Sequence, residues 1–363
     1  MHRIAVIPGD GVGPEVVRES EKLLHAIADR DQSVRFTFDR FPWGTDYYLN
    51  SGRMMPDDAL DRLAGYDAIL FGAVGSPRVR DHITLRDLLF KIRVGFDQYI
   101  NLRPVRLLPG ISSPLAGVTP ADVDMLFVRE GTEGEYAGLG DRLFPGTDRE
   151  LALQTAVFSR HGVQRAVRWA FELARREGRS VTSVSKGNAL QYSGVLWDDV
   201  FAQVSSEYPD VETHQLLVDA AAMFMVREPR RFGVVVASNL YADILTDLGA
   251  GIMGGMGLAP SASLNPERRF PSSFEPIHGS APDIAGTSAA NPIGSIWSTA
   301  LMLDHLGHHE WAGTVQRAIE LVIMNTAIRT PDLNGSATTE QVGDAVVGAL
   351  DRIRDDAAAA AAS

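Results

Sequence analysis

Asp243 and Asp247 stand four residues apart in Ser238-Asn-Leu-Tyr-Ala-Asp-Ile-Leu-Thr-Asp-Leu-Gly249, directly behind the β-branched run Val234-Val-Val236. On a helix this spacing puts both acids on one face, where like charges oppose each other by about 0.2–0.5 kcal/mol. Leu240, Ile244, Leu245 and Leu248 make the segment otherwise apolar, so the helix is expected to be largely buried. Buried anions need a compensating cation, and oxygen donors suit a hard divalent metal; a solvated acidic face would need none. Placement favours the metal, because the pair begins at the carboxyl end of a predicted buried strand, where open α/β sheets collect their ligands.

Arg93, Arg103 and Arg129 sit beside predicted turns or strand ends instead of on a plainly solvated helix face. A guanidinium grips a carboxylate through two parallel hydrogen bonds, so a dicarboxylic substrate would engage at least two of them; ordinary surface arginines are the alternative. Lys186 follows the strand-like stretch 180–185, and Tyr136 closes the polar run Arg129-Glu-Gly-Thr-Glu-Gly-Glu-Tyr136. Near a metal and arginines a lysine loses basicity and becomes a usable base, and a tyrosine returns a proton. Each residue also suits a duller role, as a surface lysine or a packed aromatic.

Two loops invite a nucleotide. Pro8-Gly-Asp-Gly-Val-Gly-Pro-Glu15 has the spacing G-x-G-x-G, lacks the third glycine of the dinucleotide fingerprint, and carries Asp10 and Glu15, which would repel a pyrophosphate. It reads as a tight strand-to-helix turn with Pro14 in the first helical turn, and the Rossmann reading is rejected. Glu275-Pro-Ile-His-Gly-Ser-Ala-Pro-Asp283 is the better candidate, since it precedes Asn291-Pro292, a good N-cap and N1 pair. Asp283 would accept hydrogen bonds from a ribose diol and repel a 2′-phosphate, which favours NAD over NADP. A structural turn explains the loop equally well.

The elements that must position these residues alternate. Strands are predicted at 4–7, 36–38, 68–71, 125–128, 181–184 and 234–237, with helices at 14–29 and 162–177, which argues for a layered α/β fold. A proline-marked turn at Asn101-Leu-Arg-Pro104 and the glycine-rich stretch after Asp247 are the expected lobe boundaries, so the middle of the chain is inserted between two halves of the first lobe. The first lobe is expected at 1–102 and 253–363, the second at 103–252.

At 363 residues the chain is long enough for two cores, and 45% apolar with 22% charged residues is ordinary for a globular protein. The net charge of −12 comes without a basic stretch, which argues against nucleic acid as a partner. The chain has no cysteine, so disulfides, thiolate chemistry and sulfur-ligated zinc are excluded. The N-terminal segment reads as a strand, which predicts a cytoplasmic protein, and the uncharged stretch 248–266 holds too many glycines and prolines to span a membrane. The alanine tail 357–362 reads as a frayed helical extension.

Taken together, Ile7-Pro-Gly-Asp-Gly-Val-Gly13, Asn101-Leu-Arg-Pro104, Arg129-Glu with Glu133-Gly-Glu-Tyr136, Asn239-Leu-Tyr-Ala-Asp-Ile-Leu-Thr-Asp247 and His278-Gly-Ser-Ala-Pro-Asp-Ile-Ala-Gly286 resemble the metal-dependent β-decarboxylating dehydrogenases of isocitrate, 3-isopropylmalate, D-malate and tartrate. The resemblance spans nearly the whole chain and implies a two-lobed α/β/α fold of the isopropylmalate dehydrogenase kind, with mixed sheets. It further implies Mn²⁺ or Mg²⁺ on Asp219, Asp243 and Asp247, with Asp219 and Lys186 reaching in from the other subunit of a homodimer. Arg93, Arg103 and Arg129 would hold the carboxylates of a hydroxy-dicarboxylate substrate, Lys186 would be the base, and Tyr136 the acid that protonates after CO₂ leaves. The cofactor would be NAD on His278, Gly279, Ser280, Ala281, Asp283, Ile284 and Asn291, with K⁺ a further candidate. Phe41-Pro-Trp-Gly44, Gly52-Arg-Met-Met-Pro-Asp57 and Leu264-Asn-Pro-Glu267 look like the D-malate and tartrate branch; Lys186-Gly-Asn-Ala-Leu190 is similar to isopropylmalate dehydrogenases.

Ser76 and Arg86 stand where that branch shows tryptophan, and Gly131 where it shows asparagine. Arg86 precedes Arg93 by seven residues, two helical turns, so it is expected on roughly the same face, where it would read a third acidic group such as a carboxylate or phosphonate. The alternative has Arg86 in solvent. Leu88 and Leu89 suit an alkyl substituent instead, which keeps isopropylmalate as the second candidate. A metal-dependent phosphatase and a silent regulatory subunit are the competing classes; the first would not need the Asp283 loop, and the second would have lost the lysine, tyrosine or metal acids.

Overall fold

The computed structural model describes residues 1–325 and 327–362, the side chains of residues 325 and 354–362 excepted. Two compact units share the chain: Met1–Gln98, Arg106–Pro120 and Ala250–Ser363 form the first, Tyr99–Val105 and Ala121–Gly249 the second. Arg106–Pro120, expected in the second lobe, therefore belongs to the first. The alanine tail continues the last helix, Thr339–Ala362, and its side chains lie outside the described residues.

In the first unit five strands lie in the order Phe36–Arg40, His2–Gly9, Ala68–Ala73, Ser272–Pro276 and Pro260–Leu264. The first four run parallel and the last pairs antiparallel, with Ser261 opposite Glu275, so the sheet is mixed. Ile4 to Ile7 and Ala68 to Leu70 are fully buried, as expected of parallel strands covered on both faces. Helix Gly13–Arg30 follows the first strand with Pro14 in its first turn and buries Val16, Val17, Leu23, Leu24 and Ile27 on one face.

The second unit orders its strands Ile100–Arg106, Asp124–Glu130, Val234–Ala237, Val181–Ser185 and Thr213–Leu217, and a separate hairpin joins Gly134–Leu143 to Leu151–Val157. The last four of the five are parallel. Helix Arg160–Glu177 is capped by Ser159, whose hydroxyl accepts the Gly162 amide at 2.9 Å, and ends on Gly178 at φ +63°. Burial of its Val163, Val167 and Phe171 stabilises the unit by about 1.5–3 kcal/mol for each side chain.

The Asn101–Pro104 segment, expected as a turn, is part of a strand, because Ile100 and Val105 are core residues and proline is tolerated where no ladder donor is needed. Helix Asn239–Ile252, which carries Asp243 and Asp247, is less buried than its composition suggests, since Ile244 is 58% exposed.

Candidate active site

Parallel strands deliver their carboxyl ends to one edge of a sheet. In the second unit Arg129 is the penultimate residue of one strand and pairs in register with Ala237. Helix Asn239–Ile252 follows the next strand, Lys186 the next, and Asp219 the edge strand, whose Leu217 pairs with Ser185.

Two clusters form on that edge. In the first, the Arg129 and Arg103 guanidinium groups both pair with Asp243, Arg103 at 3.1 Å. The Arg129 Nε donates to Asn239 Oδ1 at 2.8 Å and the Arg103 Nε to Asn101 Oδ1 at 2.7 Å, while the second Arg103 arm donates to Thr246 at 2.7 Å. Tyr136 donates its hydroxyl to Asp243 at 3.0 Å, and the Arg129 guanidinium lies over the tyrosine ring. Burial, and then the Asp243 carboxylate, push the Tyr136 phenol up to about 12, so it stays protonated throughout the neutral range. Asp247, one turn on, makes no hydrogen bond or ion pair among the described residues; desolvation raises its carboxyl, Arg103 opposes the rise, and Asp243 adds to it.

The second cluster is the ion pair between Lys186 Nζ and Asp219 Oδ1 at 2.7 Å, which holds the Asp219 carboxyl below its ordinary range. The Lys186 turn rests on a close backbone approach: a Cβ on Gly194 would lie 2.8 Å from the Gly187 Cα. Asp219 is thus not brought to Asp243 and Asp247, and among the described residues no three acids or histidines are close enough to hold a metal. The donor type nevertheless suits a hard cation, with two carboxylates on one helical face and one of them without a partner among the described residues.

Arg93 belongs to the first unit, where it is buried and donates to Glu275 at 2.6 Å. Arg86 and Arg93 do not share a face. Leu85–Phe90 is a π turn with i→i+5 bonding, so seven residues no longer complete two α turns, and Arg86 is exposed with no bond among the described residues while Arg93 is buried. Leu88 and Leu89 belong to the hydrophobic core that holds Ile7, Trp43 and Phe71, not to an open alkyl pocket.

The nucleotide loop also lies in the first unit. His278 Nδ1 donates to the Gly279 carbonyl at 2.9 Å, which leaves Nε2 an acceptor; it is shielded from solvent and has no partner among the described residues, and burial lowers the ring's basicity. A Cβ at Gly279 would meet nothing within 4 Å, so the backbone there is open to a ligand. Asp283 is exposed and makes no bond among the described residues, whereas Ala281 and Ile284 pack on Val12 and Val16. The Ser280 carbonyl accepts the Val12 amide. Asn291 accepts the Ile293 amide at 3.0 Å and donates to Asp332 at 3.0 Å, and the helix begins at Ile293, one residue later than the expected N1. A dinucleotide fits this loop, because adenine presents an amino donor for an orphaned acceptor and a ribose diol suits an open carboxylate.

Pro8–Glu15 is the tight turn expected. Asp10 accepts the Thr45 and Gly75 amides at 2.8 and 2.9 Å, and Cβ atoms at Gly9 and Gly11 would strike the Ala73 and Ser280 carbonyls at 1.9 Å.

Asn101, Asn239, Thr246 and Glu275 lie inside the sequence motifs, but the sequence assigned none of them a role of its own. Asn239 was within reach, since Asn239, Asp243 and Asp247 repeat every four residues, and Asn101 lies two from Arg103 on a strand, where such residues share a face.

The model of the isocitrate/isopropylmalate dehydrogenase family matches residues 3–346. The chain belongs to this family. It is 47% identical over 350 residues to the Agrobacterium vitis protein named "Probable tartrate dehydrogenase/decarboxylase TtuC'", covering 96% of this chain and 98% of that one. It is 49% identical over 352 residues to the D-malate dehydrogenase [decarboxylating] of Escherichia coli (strain K12), covering 95% and 97%. The 3-isopropylmalate dehydrogenase of Thermobifida fusca (strain YX) is also 49% identical, over 343 residues, covering 94% and 96%. The crystal structure of isocitrate dehydrogenase from Methylococcus capsulatus superposes with a TM-score of 0.87 at 35% identity, covering 96% of this chain and 99% of that one. The fold is accordingly the mixed α/β fold of this family.

Proposed function

We propose that the chain is an NAD-dependent dehydrogenase that oxidises and decarboxylates a malate-type 2-hydroxy acid, D-malate or tartrate. The observation that carries this reading is Asp243, around which two buried guanidinium groups and a protonated phenol converge. When bound on Asp243, Asp247 and Asp219, Mn²⁺ or Mg²⁺ supplies Lewis acidity, and NAD supplies the hydride acceptor. Arg103 and Arg129 hold the carboxylates in forks whose Nε arms are already oriented by Asn101 and Asn239. Lys186 removes the proton of the C2 hydroxyl, and the Tyr136 hydroxyl gives a proton to the carbon that loses CO₂.

Isopropylmalate is the second reading, supported by the Thermobifida relative. Leu88 and Leu89, the side chains suited to its alkyl group, are committed to the core, which weighs against it. Incubation with NAD and Mn²⁺ and a panel of 2-hydroxy acids is expected to give NADH, CO₂ and a 2-oxo acid from D-malate or tartrate. A higher kcat/KM on 3-isopropylmalate, or no NADH from any malate-type acid, would overturn the assignment.

The acting form is a homodimer with shared sites. Helices Val218–Arg227 and Asn239–Ile252 each carry a metal acid and also uncovered apolar side chains, Met223 at 45%, Val226 at 42% and Ile244 at 58% exposure. Within one chain Asp219 is paired with Lys186, which supports drawing the third carboxylate from a second copy. Met223→Glu is expected to sediment as a folded monomer without turnover, and a fully active monomer would end the dimer proposal.

A further inference from the structure

Within the first unit, the loop that carries the nucleotide candidates holds three backbone positions at positive φ: Ala281 at +39°, Gly286 at +78° and Ser288 at +56°. Left-handed conformations at residues other than glycine persist only where the surroundings impose them. Beside each of the three lies a tether from outside the loop. The Val12 amide donates to the Ser280 carbonyl at 2.8 Å, the Thr339 amide to the Ser288 carbonyl at 2.8 Å, and the Gly286 amide donates to Glu15 Oε1 at 2.6 Å. Two of these join main chain to main chain; the third depends on a side chain. Among the described residues Glu15 Oε2 is shielded from solvent and has no partner. An acid in the first turn of a helix would ordinarily swing outward to hydrate both oxygens, so its inward position is held by the Gly286 contact.

We propose that Glu15 is a positioning residue for the dinucleotide: its carboxylate fixes the loop at Gly286 in the shape that receives the cofactor, without touching the cofactor itself. This rests on the reading of 278–291 as the NAD loop. Preorganisation lowers the ordering cost at binding, so loss of the strut acts on cofactor affinity and leaves the chemical step alone. An ionised acceptor makes a short, strong bond to an amide, and a glutamine oxygen at the same place makes a weaker one of the same geometry.

The test uses the full-length protein with Glu15→Ala, Glu15→Asp and Glu15→Gln. NAD affinity is read by calorimetry, KM and kcat by steady-state kinetics, and the loop by hydrogen exchange of the peptide containing Gly286 in the absence of NAD. Ala, which has no acceptor, and Asp, which is one methylene too short, are expected to raise Kd and KM for NAD about ten-fold, speed exchange at the loop, and preserve kcat at saturating NAD. Gln is expected to recover most of the affinity. Unchanged exchange and NAD affinity in both Ala and Asp, or a Gln variant as weak as Ala, would overturn the inference. His278→Ala and Asp283→Ala run alongside: if they weaken NAD while the Glu15 variants do not, only the strut is refuted, and if they too bind NAD normally, the cofactor loop falls with it.

Discussion

Asp243→Asn is expected to lower turnover by about a thousand-fold or more, a loss of about 4 kcal/mol of transition-state stabilisation. The carboxylate is the meeting point of Arg103, Arg129 and Tyr136 and one of two acids on the helical face proposed for the metal. Asparagine keeps the shape and the acceptor for the Tyr136 hydroxyl, but removes the proposed metal ligand and the counter-charge of two guanidinium groups that are 6% and 2% exposed. Breaking a fully buried pair costs about 3–5 kcal/mol; Asp243 is itself 35% exposed, so the fold should lose less and the melting temperature should fall by several degrees. Calorimetric melting with and without Mn²⁺ separates the two effects. Wild type should gain stability with the metal by mass action, and Asp243→Asn should not. A variant that still turns over at a tenth of the wild-type rate, or still melts higher with Mn²⁺, would remove Asp243 from the metal site.

Lys186→Met should lose about 10²- to 10⁴-fold in kcat, the contribution of a positioned general base. The sharper result comes from mixing. Lys186 and Asp219 pair with each other and stand apart from the Asp243 cluster, as expected if both serve the site of a second copy. When equal amounts of Lys186→Met and Asp243→Asn chains are unfolded and refolded together, half the dimers should be hybrids. Each hybrid has one site with both lesions and one with neither, so about a quarter of wild-type activity should return. Two dead variants that form hybrids and stay dead would place Lys186 in the same chain's site.

Much of the chemistry was legible before the fold. The i, i+4 spacing of Asp243 and Asp247 behind an apolar strand placed both acids on one helical face at a strand end, the face proposed for the metal, because helical periodicity and the position of ligands at strand ends are local rules. The strands 181–185 and 234–237 and the helix 160–177 were legible for the same reason: continuous apolar runs and a clean amphipathic stripe reflect burial that neighbouring residues determine. The segment 100–106 misled because Pro104 is a local turn signal overridden by the core positions of Ile100 and Val105. Arg86 misled because a π turn changes the angular spacing, and no pattern of side-chain polarity announces one.

By itself the sequence determined the residue types, their spacing along each element, and through these the class of chemistry and the family. Only the tertiary structure decided which charges meet. That Asp243 gathers Arg103 and Arg129, that Asp219 takes Lys186, that Arg93 goes to Glu275 and that Glu15 reaches Gly286 are contacts across 33 to 271 residues of chain. The physical reason is that an ion pair acts over a few ångströms and carries no record of itself in chain order, so its partner is set by the packing of strands and helices that brings the two groups to the same edge.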